Sequence, residues 1–203
     1  DELIVLDIDA TVDGREPNYN LIEKLASESR MPLCYGGGIK NAQQATRIFN
    51  LGVEKIALSS IAIEEPNVVS DLAEMVGRQS VVAVIDVKKN IYGNYQIVTH
   101  NATKVTGAGL HTTISNLIDR GVGELVINSV DNDGVMGGYD FKLVDKVYET
   151  VKIPLTILGG AGSVDDILEA VRRYKIIGVS AGSVFVFNGK YKAVLISYPV
   201  NLP

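Results

Sequence analysis

Two stretches of this chain repeat one another, and that repeat limits the fold more than any other feature. Gly36 to Ser60 (GGGIKNAQQATRIFNLGVEKIALSS) and Gly159 to Ser183 (GGAGSVDDILEAVRRYKIIGVSAGS) have the same length. Each runs from a glycine cluster, through a helical stretch and a strand-like run, to a small residue and a serine. An acidic strand end precedes each copy, Asp7-Ile8-Asp9 before the first and Asp131-Asn132-Asp133 before the second. Self-similarity at this spacing marks a duplicated architecture.

Around the repeat, short β-rich runs alternate with longer helical stretches, the pattern of βα units and a parallel sheet. The strand candidates are residues 2–8, 32–35, 54–58, 80–87, 123–129, 154–158 and 175–180. Runs such as Val81-Val82-Ala83-Val84-Ile85 are continuously apolar, as in strands covered on both faces. Helices are predicted to begin near Tyr19, Asn41, Asn67, His111, Tyr139, Val164 and Ser183, and residues 91–99 alternate as a small hairpin would. Seven such units fit an open doubly wound sheet or a barrel one strand short. The second copy of the repeat belongs to a half of four units, and the first to a half of three. A doubly wound nucleotide fold would carry G-x-G-x-x-G after its first strand, and that motif does not occur. The expectation is a (β/α)₈ (TIM) barrel filling residues 1–203 as a single domain, lacking the first strand and helix of the eight-unit pattern.

Composition narrows the function. The chain has 203 residues, 24 acidic against 19 basic, and the basic ones are scattered. That is no footprint for nucleic acid or an anionic membrane. No apolar run reaches the roughly 18 residues of a transmembrane helix. Cys34, in Pro32-Leu33-Cys34-Tyr35, reads as a packed core thiol, and a cytoplasmic, reducing location is expected. His100 and His111 lack metal-ligand spacing and G-x-S-x-G is absent, so neither metal, cofactor nor serine nucleophile is expected.

Barrel chemistry sits at the C-terminal ends of the strands, where this sequence gathers its unusual residues. Gly37-Gly38 and Gly159-Gly160 follow strands and precede helices, where backbone N–H groups can approach an anion. Ser59-Ser60 and Gly182-Ser183 end the next strands. A single cluster is explained by a tight turn; two in register predict a phosphate at each end of one ligand. Gly134 joins the second set. Asp86 closes an apolar run and should point into the mouth, where desolvation suits it to proton transfer. Asp86 and Asp133 are the candidate catalytic carboxylates, with Asp7, Asp9 and Asp131 around the same mouth. The alternative is that these carboxylates cap helices or pair with lysines such as Lys88.

Those residues resemble the HisF family, cyclase subunits of imidazole glycerol phosphate synthase. The resemblance covers essentially the whole chain. It is carried by Leu6-Asp7-Ile8, Gly36-Gly37-Gly38-Ile39, Ile85-Asp86-Val87-Lys88, the run Asn128 to Asp140 (NSVDNDGVMGGYD) and Gly159-Gly160-Ala161-Gly162. It implies that Asp86 is one of two catalytic aspartates, the other lying on the absent first strand. It also implies phosphate sites at Gly38/Ser59/Ser60 and Gly134/Gly160/Gly182/Ser183, and an ammonia gate that includes Glu2, Lys55 and Glu124. The family partner is a HisH-type glutaminase. The family reaction adds ammonia to a bisphosphorylated ribulosyl-formimino aminoimidazole carboxamide ribonucleotide, forming imidazole glycerol phosphate and an aminoimidazole carboxamide ribotide.

Asp9, Ser59-Ser60 and the ending Phe185 to Ile196 (FVFNGKYKAVLI) depart from that pattern and are similar to the WbuZ branch. That branch implies ammonia supply to a sugar amidotransferase that builds acetamidino sugars of surface polysaccharides. A non-catalytic activator of a glutaminase is the third possibility.

Overall fold

The computed structural model describes residues 2–188 and 192–196. Its first half contains β1 (Leu3–Leu6), α1 (Tyr19–Glu28), β2 (Leu33–Gly36), α2 (Ala42–Phe49), β3 (Lys55–Leu58), α3 (Ser60–Glu64) and α4 (Asn67–Val76). The second contains β4 (Val81–Lys89), β5 (Tyr95–Thr99), β6 (Lys104–Val105), α5 (Leu110–Asp119), β7 (Glu124–Ser129), α6 (Phe141–Tyr148), β8 (Leu155–Leu158) and α7 (Val164–Arg173). It ends in β9 (Gly178–Val179), α8 (Ser183–Val186), β10 (Phe187–Asn188) and β11 (Ala193–Val194).

Local chemistry sets the helix starts. Side chains of Asn18, Asn41, Asp140 and Ser163 each accept a backbone N–H of the first turn of α1, α2, α6 and α7, and Ser163 with Asp166 completes a capping box. The parallel strands follow the order β1-β2-β3-β4-β7-β8-β9, a curled sheet with alternating helices, the architecture of a partial (β/α)₈ barrel. All seven expected strands are present. β1 and β9 stand at the two ends of the order and do not pair with each other among the described residues.

Three boundaries differ from expectation. β4 runs on to Lys89 and pairs antiparallel with β5, so the hairpin joins β4 to Tyr95–Thr99 instead of lying within 91–99. The anticipated strand at 175–180 shrinks to Gly178–Val179, because the Tyr148 hydroxyl accepts the N–H groups of Lys175 and Ile176. The ending does not continue as a long helix: α8 spans one turn, and β10 pairs antiparallel with β11. Gly189, Lys190 and Tyr191 of that ending lie outside the described residues.

The strand faces sort the side chains by parity. On β4, Val81, Ala83, Ile85 and Val87 face outward into the main core, which includes Ile22, Ile48, Leu72, Leu117 and Leu143 of the helices. Val82 and Val84 face inward with Cys34, Ala57 and Val126, beside Ile4, Leu6 and Leu158. Cys34 is fully buried there, and burial pushes its thiol pKa up, as a core thiol requires. No helix among the described residues is long and apolar enough to cross a membrane.

Candidate functional site

The inward files of β3 and β7 carry polar residues at both ends, and that of β4 ends in Asp86. β7 places Glu124, Val126 and Asn128 on one face, in register with Val82, Val84 and Asp86 of β4. Glu124 and Asn128 are thus separated by about 13 Å of extended chain. Small apolar groups fill the middle, and charge sits at each mouth.

At the C-terminal mouth a cavity of about 530 Å³ is bounded by the ends of β1 to β5, β7 and β8. Gly37, Gly38, Ser59 and Ser60 form one wall; Asp7, Asp86 and Asp133 also line it, and its floor reaches Ala57 and Val84. Asp86 accepts hydrogen bonds at both oxygens, from Ser59 Oγ at 2.9 Å and from Asn128 Nδ2 at 2.8 Å. Burial pushes the Asp86 carboxyl up from its ordinary value; the two hydrogen bonds pull it partly back, and the nearby Asp133 charge adds to the rise. Asp7 is held differently: Arg15, reaching over from the β1–α1 loop, contacts both of its oxygens at 3.3 and 3.4 Å.

The structure separates the expected site residues into groups. Those of the first repeat copy meet around the cavity as anticipated. Ser59, however, gives its proton to Asp86, whereas Ser60 Oγ accepts the His100 N–H and keeps its own proton to donate to a ligand. Gly134, Gly159, Gly160, Gly182 and Ser183 do not line this cavity; Gly182 and Ser183 follow β9, at the end of the strand order. Gly160 instead meets Gly138 backbone to backbone, its carbonyl accepting the Gly138 N–H at 2.8 Å. Asp9 is exposed and outside the lining. Asp131 turns away, its carboxylate accepting the Lys89 N–H at 2.7 Å and tying the end of β4 to the loop after β7. Lys88 makes no bond to Asp86.

Sequence reasoning passed over four residues at these mouths. Asn128 closes an apolar run on β7 as Asp86 does on β4, and that shared position was its signal. Lys40 and His100 line the cavity from loops, where periodicity says nothing. Thr156 donates to Glu124 Oε1 at 2.9 Å at the opposite mouth.

That opposite mouth brings Glu2, Lys55 and Glu124 together. Lys55 Nζ lies 2.6 Å from Glu2 and 2.8 Å from Glu124. Burial works against the ammonium, but hydrogen bonds from Lys55 to Glu124 and Glu2 outweigh it and hold its pKa above the usual lysine value. The side chains are 15–26% exposed, between the surface and buried regimes. Lys55→Met is therefore expected to cost about 2–3 kcal/mol, by leaving two carboxylates facing each other without a cation. Urea unfolding reads this directly; a loss below about 0.5 kcal/mol would show the triad to be an ordinary solvated surface cluster.

Known proteins align with this sequence. The family model described as histidine biosynthesis protein matches residues 1–192. A provisionally named imidazole glycerol phosphate synthase subunit HisF of Leptospira borgpetersenii is 53% identical over 98% of this chain and 79% of its own length. A similarly named subunit, hisF3, of Vibrio vulnificus is 54% identical over 98% of this chain and 77% of its own. A third, hisF2 of Pseudomonas aeruginosa, is 44% identical over 98% of this chain and 79% of its own length.

Proposed function

The chain belongs to the histidine biosynthesis protein family, and on that premise we propose that it is the cyclase subunit of a glutamine amidotransferase pair. It takes ammonia from a HisH-type glutaminase and adds it to a phosphorylated substrate held in the cavity. One observation carries this reading: the same inward strand files join a charged Glu2–Lys55–Glu124 cluster at one mouth to the clamped Asp86 carboxylate at the other.

Ammonia enters at the charged mouth and moves along the small apolar side chains of Cys34, Ala57, Val82, Val84 and Val126, which favour the neutral molecule over ammonium. A substrate phosphate rests against the Gly37–Gly38 backbone and the Ser60 hydroxyl, with Lys40 beside it. Attack of ammonia on the substrate carbonyl forms a C–N bond and leaves positive charge on nitrogen and negative charge on oxygen. Asp86 takes the proton from nitrogen, and the oxygen takes one up through Asp133, which lines the same cavity. In the family reaction the adduct then splits and cyclises to imidazole glycerol phosphate and an aminoimidazole carboxamide ribotide. A further βα unit between the free edges of β1 and β9 would close the barrel into one eight-unit domain.

A second reading, ammonia supply to a sugar amidotransferase for acetamidino-sugar formation, gains from one observation. The Ser59-Ser60 pair and the ending Phe185 to Ile196 depart from the usual family pattern and are similar to the WbuZ branch. A non-catalytic activator would not need a carboxylate held by two donors in a cavity.

The deciding measurement is steady-state turnover of the bisphosphorylated substrate at saturating ammonia, with inorganic phosphate as competitor. Turnover on the order of 1–10 per second with competitive inhibition is expected. Background turnover, with phosphate still bound, would overturn the cyclase reading in favour of the sugar pathway.

A further inference from the structure

Asn128 has an odd arrangement for a residue of a strand interior. It is 9% exposed, its Nδ2 donates to Asp86, and its Oδ1 is buried with no hydrogen-bond partner. That oxygen faces the backbone at Gly159: a Cβ on Gly159 would lie 2.9 Å from it. A leucine would fill the space without stranding a polar atom, so packing does not account for an amide here. Reversing the amide would set its oxygen against a carboxylate oxygen and is excluded while Asp86 is ionised. Ser59 reaches the other carboxylate oxygen from the end of β3, so each oxygen receives one donor. A protonated carboxyl could keep the Ser59 contact only if that hydroxyl turned to accept, and both bonds would lose the charge that strengthens them. Both partners therefore select the same protonation state.

We propose that Asn128 and Ser59 are positioning residues that hold Asp86 in one orientation as an ionised proton acceptor in the resting site. This rests on the reading of Asp86 as the proton-transfer group and assigns it the direction of its first transfer. The surroundings leave few other charges to do so. Asp133, from the loop after β7, opposes ionisation. Asp7 is taken up by Arg15, and Glu64 by Lys104. The register partner on β5 is the apolar Val98, and His100 beyond it contacts Thr99 and Glu64.

The test is carboxyl ¹³C titration of aspartate-labelled protein, with the Asp86 signal identified by its loss in Asp86→Asn. Asn128→Leu and Ser59→Ala should each raise the Asp86 midpoint by about one pH unit, a tenfold fall in acidity, at unchanged fold by circular dichroism. Unchanged midpoints in both variants overturn the proposal. If Asn128→Leu does not fold, Ser59→Ala decides alone, and an unchanged midpoint there is equally fatal. The titration needs no substrate, so it is separable from the function. Raised midpoints with an unmoved pH profile of turnover would sustain the positioning role while removing Asp86 from the chemistry.

Discussion

Asp86→Asn is expected to lower turnover about 10²–10⁴-fold while leaving the protein folded and able to bind its glutaminase. The substitution keeps the side-chain shape and removes only the capacity to take and return a proton. The site is built to tolerate it. The Ser59 hydroxyl can accept as well as donate, and Asn128 can turn its amide so that its stranded oxygen gains a donor. Removing a buried charge also relieves a desolvation cost. Stability should therefore hold or rise slightly while activity collapses. The measurement pairs turnover at saturating ammonia with denaturant unfolding of the same preparation. Turnover within threefold of wild type would make Asp86 a structural carboxylate.

Gly160→Ala should be the most damaging small substitution, at about 3–4 kcal/mol of stability. Gly160 has φ +119°, and a Cβ there would fall 2.1 Å from the Gly138 carbonyl oxygen and 2.8 Å from its carbon. Both obstacles are backbone, so neither can swing aside. Gly134 is the natural control. It also has positive φ, +72°, but nothing lies within 4 Å of a Cβ there, so Gly134→Ala should cost only the left-handed conformation, about 1 kcal/mol. Urea midpoints of the two variants compare them. Equal losses would mean that the Gly138–Gly160 approach is not tight.

That contrast shows why a glycine cluster is ambiguous when read from sequence. A backbone stripped of side chains serves anion binding and close backbone packing equally well. Gly37 and Gly160 look alike as letters and both press on backbone, Gly37 on Asp7 and Gly160 on Gly138, yet of the two Gly37 alone also borders the cavity. The strand count, the parallel order and Asp86 were legible because apolar runs covered on both faces end abruptly in a polar residue. Asp131 was not, since nothing in Asp131-Asn132-Asp133 says which carboxylate turns back to the Lys89 N–H and which borders the cavity. Ile176, 83% exposed beside the shortened β9, is an apolar residue whose run reads as strand but lies past the hydroxyl that claims its N–H.

The parity of β7 has a consequence for how such a protein can change over evolutionary time. Glu124 and Asn128 serve opposite mouths but share one side of one strand, with Val126 between them. The strand acts as a ruler graduated in steps of two. Losing a single residue between Glu124 and Asn128 would reverse the parity of one end against the other: with Glu124 held inward, Ile127 and Ser129 would take the inward positions and Asn128 would turn away from its mouth. Point substitutions can retune either end and keep both on the shared face, whereas an insertion or deletion of odd length between them must turn one end out of it. Length variation should therefore collect in the loops, as in the Asn90–Asn94 turn between β4 and β5, where the ruler does not run.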